Sequence, residues 1–342
     1  MFAVVVLAPL VVAAELQDGP PPLAITVDGT PILVAFDAAF GDVIRDQGLR
    51  PTDGRLLDVQ GGVLERHADP GTVLLNGDEA SRSTSLAEGD AIAVVNGVDR
   101  TEGTRREVER LPGRRVGNPM RTLATSRMFE IKIVGRISGT IVGVRYATRG
   151  KAKSPPAVAL TFDDGPWPRS TRQVLSVLER MHVRATFFMV GYLMRRYPQV
   201  VREVLDARMA VGTHSWSHPY LTPFIELAPN RIETEITEPQ RLLRKRFGVE
   251  PTLFRPPGGS YDATVIRTAR EAGMRVVLWS SDPHDYLDDA TPAVIARSVL
   301  RSIRPGSIVV LHDGGGDQSA TVRALPTIIR GIRRMGLDLV AL

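Results

Sequence analysis

The chain has 342 residues, 43% of them hydrophobic and 24% charged, which fits a soluble globular protein of about two domains and excludes a disordered or fibrous chain. Its formal charge of +5 suits an acidic polymer or surface without naming one. The absence of cysteine excludes disulfides and thiolate metal sites, so any transition-metal site must draw on histidine and carboxylate.

The chain opens with MFAVVVLAPLVVAAELQDGPPP. The apolar run Phe2–Ala14 is too short to span a bilayer and matches the apolar region of an export signal, although no Lys or Arg precedes it. Residues 1–22 are therefore expected to be a signal-like segment and linker. An extracellular or cell-envelope location follows, with membrane or envelope association through this end. From 23 to 98 the pattern is short strands and tight turns. LAITV-DGT-PILVAF predicts a hairpin turning at Asp28-Gly29. A short helix is expected over Ala38–Gln47, with Phe40, Val43 and Ile44 on one face, then strands at Thr72–Leu75 and Ala91–Val95. This order resembles a small α+β, β-grasp (ubiquitin-like) domain. Residues 99–154 read as a basic linker. TRREVERLPGRR is a solvated charge run, and EIKIVGRISGTIVGVRY alternates like a hairpin with Ser138-Gly139 near its turn. Ser154-Pro155-Pro156 marks the boundary of a last domain over 155–342.

From Ala157 the rhythm becomes strand then helix. Strands are expected at Val158–Phe162, Ala185–Val190, Val211–His214, Leu253–Arg255, Arg275–Ser280, Ile308–His312 and Leu337–Ala341. Ser170 with Gln173 predicts a capping box, Thr291-Pro292 an N-cap followed by proline in the first turn, and Thr321–Met335 an amphipathic helix. About seven strands alternating with helices give an α/β class with a parallel sheet, either barrel or doubly wound. Asp163 and Asp164 follow the first strand, His214 ends the third with His218 four residues on, and Arg255 ends the fourth. Asp282 and Asp285 follow the fifth strand, and His312 ends the sixth. In a parallel barrel those carboxyl ends meet on one face, where active sites form. Two imidazoles and a carboxylate make a three-ligand site with an open position, the pattern of catalytic zinc. His214 and His218 can converge on one ion, with Asp164 or Asp163 completing the set. The other aspartate is then free to act as general base.

The stretches TFDDGP, HSWSH, RPPGG, SSDPHDY and LHD resemble the five ordered motifs of the polysaccharide deacetylases of carbohydrate esterase family 4, the NodB-homology domain. The resemblance covers about 157–342 and implies a distorted, incomplete (β/α) barrel that removes acetyl groups from N-acetylated sugars or from O-acetyl esters. It implies Asp163 as catalytic base, Asp164, His214 and His218 as metal ligands, and Arg255 as the residue orienting the base. It implies His312 as general acid, Asp285 as the partner of that histidine, and Leu311 as lining of the acetyl-methyl pocket. Gly258 stands where many members carry tyrosine, leaving a backbone N–H as the oxyanion contact. Tyr286 stands where tryptophan is common, keeping an aromatic wall. The implied metal is zinc, with cobalt as the alternative. The implied partner is an acetylated cell-wall or chitin-type glycan and no nucleic acid; the basic linker and the expected export place peptidoglycan ahead of chitooligosaccharide. The rival readings are an O-acetyl (xylan-type) esterase on the same fold, metal-dependent phosphoester or amide hydrolysis on a similar barrel, and an inactive glycan-binding protein.

Overall fold

The computed structural model describes residues 20–148 and 156–342. The signal-like segment up to residue 19 and the expected boundary at Ser154-Pro155 lie outside the described residues. The chain forms two compact units: one holds the residues up to Arg105 together with Val134–Val142, the other Arg106–Ile133 together with Gly143–Leu342.

In the first unit, β1 (Leu23–Val27) and β2 (Thr30–Val34) pair antiparallel around a turn whose residues, Asp28 and Gly29, have φ of 47° and 78°. Two consecutive positive φ values match the twist of the flanking strands, which explains the Asp-Gly pair. Helix α1 (Phe40–Asp46) buries Phe40 and Val43. β3 (Gly54–Leu57) and β4 (Val63–Asp69) pair antiparallel, and both escaped the sequence reading, because VLERHAD is polar and almost wholly exposed. β5 (Thr72–Leu75) and β6 (Ala91–Val95) complete a sheet ordered β2-β1-β6-β5, in which β1 and β6 run parallel. The short β7 (Arg100–Thr101) pairs with β3. β8 (Thr104–Leu111), β9 (Met128–Gly135) and β10 (Ile141–Ala147), most of whose residues belong to the second unit, form a three-stranded sheet ordered β10-β9-β8, with the expected turn carrying Gly139 at φ 67°.

The second unit is built on β11 (Ala157–Gly165), β12 (Thr186–Met189), β13 (Ala210–Thr213), β14 (Leu253–Phe254), β15 (Arg275–Val276), β16 (Ile308–His312) and β17 (Asp338–Val340), each within one of the seven expected stretches or overlapping it. All pairings are parallel, in the order β15-β14-β13-β12-β11-β16, and β17 pairs with the first residues of β11. Val158, Leu160 and Phe162 on one face of β11 and Ala159 and Thr161 on the other are all fully buried, as expected of a strand covered on both faces. Beyond β15 the chain turns to bridge β16, Ser281 pairing with Val309, so the sheet curls into an irregular half-barrel.

The helices α2 (Ser170–Arg180), α3 (Gly191–Arg196), α4 (Pro198–Asp206), α5 (Pro229–Phe247), α6 (Ala263–Glu271), α7 (Pro292–Ser302) and α8 (Ser319–Arg334) fill the connections. Thr291 caps α7, accepting from the Val294 N–H. The capping box at Ser170 does not form. The Ser170 hydroxyl instead donates to the Asp313 carbonyl at 2.6 Å, a tertiary bond that no local pattern announces.

One stretch of the expected linker contributes to this unit's core. Met120 is buried against Ala159, Phe188, Val277 and Ile308, and its backbone pairs with Val276 and Leu278. Met120→Ala is expected to cost about 2–5 kcal/mol of stability. Urea unfolding measures this, and an unchanged midpoint would place Met120 outside the core.

Candidate active site

The site lies at the carboxyl ends of the second unit's strands, in a groove of about 1010 Å³ lined by Asp163, Asp164, His214, His218, Asp285 and His312 among others. Its geometry begins with a flaw in β11. The pairing with β12 shifts register between Asp163 and Gly165, and Asp164 bulges out at φ 70°. A β-bulge re-aims a side chain. Two consecutive aspartates therefore serve different neighbours.

Asp163 is buried, and its Oδ1 accepts from Arg255 Nη1 at 2.7 Å. Arg255 is wholly buried. The same Nη1 donates to Thr161 Oγ1, Nε and Nη2 donate to the Val277 and Leu278 carbonyls, and the guanidinium lies 4.1 Å from the centre of the Phe188 ring. So many fixed contacts hold the carboxylate in one orientation, as the planar fork of an arginine allows. Asp163 Oδ2 stays free of these bonds, 3.8 Å from His214 Nε2.

Asp164 Oδ1 lies 3.0 Å from His218 Nε2 and 3.4 Å from His214 Nε2. Burial works to raise the Asp164 carboxyl, but the two imidazoles outweigh it and hold it well below the usual carboxylate range. Burial likewise opposes the charged form of His214, yet Asp163 and Asp164 outweigh it and raise its pKa. His214 Nδ1 donates to the Arg255 carbonyl at 2.7 Å, which leaves the Nε2 lone pair facing Asp164. One ligand atom from each of Asp164, His214 and His218 lies within 4.8 Å of the others. Asp164 Oδ1 is buried without a hydrogen bond. Converging lone pairs and an unsatisfied carboxylate oxygen fit a divalent cation and leave a coordination position open.

Across the groove, His312 Nδ1 bonds Asp285 Oδ1 at 2.7 Å, and the His312 backbone N–H donates to Oδ2 at 2.9 Å. The Thr321 hydroxyl donates to the same Oδ2 at 2.7 Å. Burial would lower the His312 pKa, but the bond to Asp285 wins and pushes it up to about 9.

A search against protein-family models matches residues 150–277 to the polysaccharide deacetylase model. A peptidoglycan-N-acetylglucosamine deacetylase of Bacillus cereus is 37% identical over 193 residues, 56% of this chain and 88% of that protein. The chain belongs to the polysaccharide deacetylase family. A chitooligosaccharide deacetylase of Bradyrhizobium is 36% identical over 204 residues, covering 56% of this chain and 90% of its own length. Among solved structures, the Bc1960 peptidoglycan N-acetylglucosamine deacetylase aligns with a TM-score of 0.53 at 30% identity, over 55% of this chain and 86% of that one. The curled parallel sheet is thus the polysaccharide deacetylase fold.

The seven residues expected as ligands, base, acid and their partners come together in this member of the family. Of the expected substrate contacts, Gly258 (φ 59°) and Tyr286 line the groove. Leu311 does not. It is fully buried in the core shared with the helices, because strand alternation sends residue 311 to the opposite face from His312. Val310 lines the groove in its place, with Trp279 nearby on the lining. Sequence reasoning also missed Thr161, Thr321 and Glu235, whose roles depend on partners far along the chain. Asp313 turns out to be wholly buried and pushed up to about 7 by that burial. Its backbone N–H donates to the Asp163 carbonyl, and Thr171 donates to its carboxylate.

Proposed function

We propose that this chain removes N-acetyl groups from N-acetylglucosamine-containing glycan, of the peptidoglycan or chitooligosaccharide type, with Asp163 as base and His312 as acid. The observation that carries this reading is a three-ligand cluster set between an arginine-held carboxylate and a carboxylate-held histidine, all in one groove. Asp164, His214 and His218 are the residues that would hold the cation, with zinc the metal that best fits two imidazoles and a carboxylate. A divalent ion there supplies a Lewis acid for the acetyl oxygen and lowers the pKa of water.

The rest is done by the chain. Asp163 Oδ2, left free while Arg255 holds Oδ1, accepts the proton of the attacking water. Asp285 holds His312 protonated at neutral pH, ready to deliver a proton to the departing sugar nitrogen. An amide nitrogen leaves only when protonated, whereas an ester oxygen needs this help less, so a strongly supported acid favours N- over O-deacetylation. Gly258 supports the reading of a backbone donor at the acetyl oxygen, and Val310 with Trp279 and Tyr286 that of an apolar wall for the methyl group and sugar. An inactive binding protein would have no use for a complete set of ligands, base and acid.

The first unit, with its order β2-β1-β6-β5 around a central parallel pair, is proposed as a β-grasp-like accessory domain. An envelope location fits a glycan substrate and the apolar start of the chain. Among the described residues no helix is long and apolar enough to cross a membrane.

Acetate release from chitin oligomers, peptidoglycan and acetylated xylan tests the proposal. Release is expected from the first two, abolished by a chelator and restored by Zn²⁺. Release from xylan alone would replace it with the esterase reading, and chelator-resistant release would remove the metal from it.

A further inference from the structure

The two histidines of the cluster are held in different ways. The His214 ring is oriented by its own hydrogen bond, Nδ1 to the Arg255 carbonyl. The His218 ring has no such support, since its Nδ1 is buried without a partner. Apart from ring contacts with Tyr220 and His214, at 4.4 and 4.9 Å between centroids, its direction is set by its backbone, and so by the loop from Ser215 to His218. That loop is an unfavourable conformation to hold: Ser215 and His218 both have left-handed φ, 62° and 49°. Non-glycine residues keep such angles only where their surroundings impose them.

Within the loop the His218 N–H donates to the Ser215 hydroxyl at 3.0 Å, and the residues between them are tied to a carboxylate outside the groove. Glu235 of α5 is fully buried and does not line the groove. Its Oε2 accepts from the Trp216 and Ser217 N–H groups at 2.9 and 2.7 Å. Its Oε1 accepts from the Ser217 hydroxyl at 2.7 Å and pairs with Arg231 at 2.7 Å. On the other side of the loop, the Gly191 and Tyr192 amides of α3 donate to the Ser215 and Trp216 carbonyls. The loop is clamped by its amides on Glu235 and by its carbonyls on α3. A buried charge fully used by local donors is costly to place and rigid once placed.

We propose that Glu235 is the positioning residue for His218, setting how tightly the cluster holds its cation while touching neither cation nor substrate. This rests on the metal-site reading above and deepens it. Partners one step removed from a ligand are worth about 10–100-fold in metal affinity.

The test is Zn²⁺ affinity, read by competition with a chromophoric chelator, beside thermal unfolding of the metal-free proteins. Glu235→Met keeps the length of the side chain and removes every acceptor, and is expected to weaken Zn²⁺ binding by about 10–100-fold. Glu235→Gln, which can keep an oxygen on the two amides, is expected to recover affinity to within roughly fivefold of the wild type, on the same scale for a ligand's hydrogen-bonded support. A purely structural role would lower the unfolding temperature of both variants and leave their affinities equal to the wild type. If Glu235→Met does not fold, Glu235→Asp, which withdraws the carboxylate by one methylene, decides in its place. Wild-type affinity in whichever of these two folds overturns the proposal. Wild-type protein that takes up no Zn²⁺ overturns the metal-site reading itself, an outcome visible before any variant is made.

Discussion

Asp163→Asn is expected to lower acetate release by about 10²–10⁴-fold with metal content unchanged, and Asp164→Asn to lose the metal. The two residues are neighbours in sequence, yet the bulge at Asp164 separates their surroundings. Asp164 meets two imidazole nitrogens at 3.0 and 3.4 Å, whereas Asp163 is bound to a guanidinium and comes only within 3.8 Å of His214 Nε2. Asparagine at 163 keeps the size of the side chain and a bond to Arg255, but cannot accept the proton of water. It also leaves a wholly buried guanidinium without its counter-charge. Breaking a buried pair from one side typically costs about 3–5 kcal/mol, so a lower unfolding temperature should accompany the loss of turnover. Metal analysis and acetate release on the folded variant separate the effects. If Asp163→Asn loses the metal and Asp164→Asn keeps it, the roles are reversed.

The general plan of the second unit was legible because a parallel sheet writes itself as apolar stretches separated by amphipathic helices, and its chemistry sits at the strand ends. Asp163, His214, Arg255 and His312 could be placed on one face from that rule alone. What stayed hidden has physical causes. The bulge that turns Asp164 away from Asp163 depends on pairing with β12, not on the residues TFDDGP. Glu235 reads as one more charge on a helix of charges, since its partners lie 18 and 19 residues earlier. Ser170 looks like a local cap and instead binds a carbonyl 143 residues away. Leu311 is a different case. The alternation of a strand already puts 310 and 312 on one side and 311 on the other, and a motif-based assignment overrode that rule.

Asp285→Asn is expected to move the basic limb of the pH–rate profile to lower pH while metal content stays at its wild-type value. As the proposed general acid, His312 would act in its protonated form, so activity should fall as pH rises through its pKa. That pKa stands at about 9, against an ordinary value of about 6.5, chiefly because the Asp285 carboxylate outweighs burial, with Asp163 and Asp164 adding to the same effect. A divalent cation among Asp164, His214 and His218 offsets the charge of those two aspartates, so the limb of the loaded enzyme falls below about 9. Asparagine at 285 removes the largest favourable contribution and leaves burial, which lowers the pKa. The same shift has a stability counterpart with a definite sign. A histidine whose folded pKa is raised contributes stability that is fully present below about pH 6.5 and is lost as pH climbs through about 9. Asp285→Asn should flatten that loss and lower stability at neutral pH, where Thr321 and the His312 N–H also lose part of their acceptor. Titration of the His312 ring by NMR in the metal-free protein, beside pH–rate profiles of the loaded enzyme, checks both halves. A basic limb that stays in place in Asp285→Asn, with the ring titrating lower, would assign the proton delivered to the leaving nitrogen to a group other than His312.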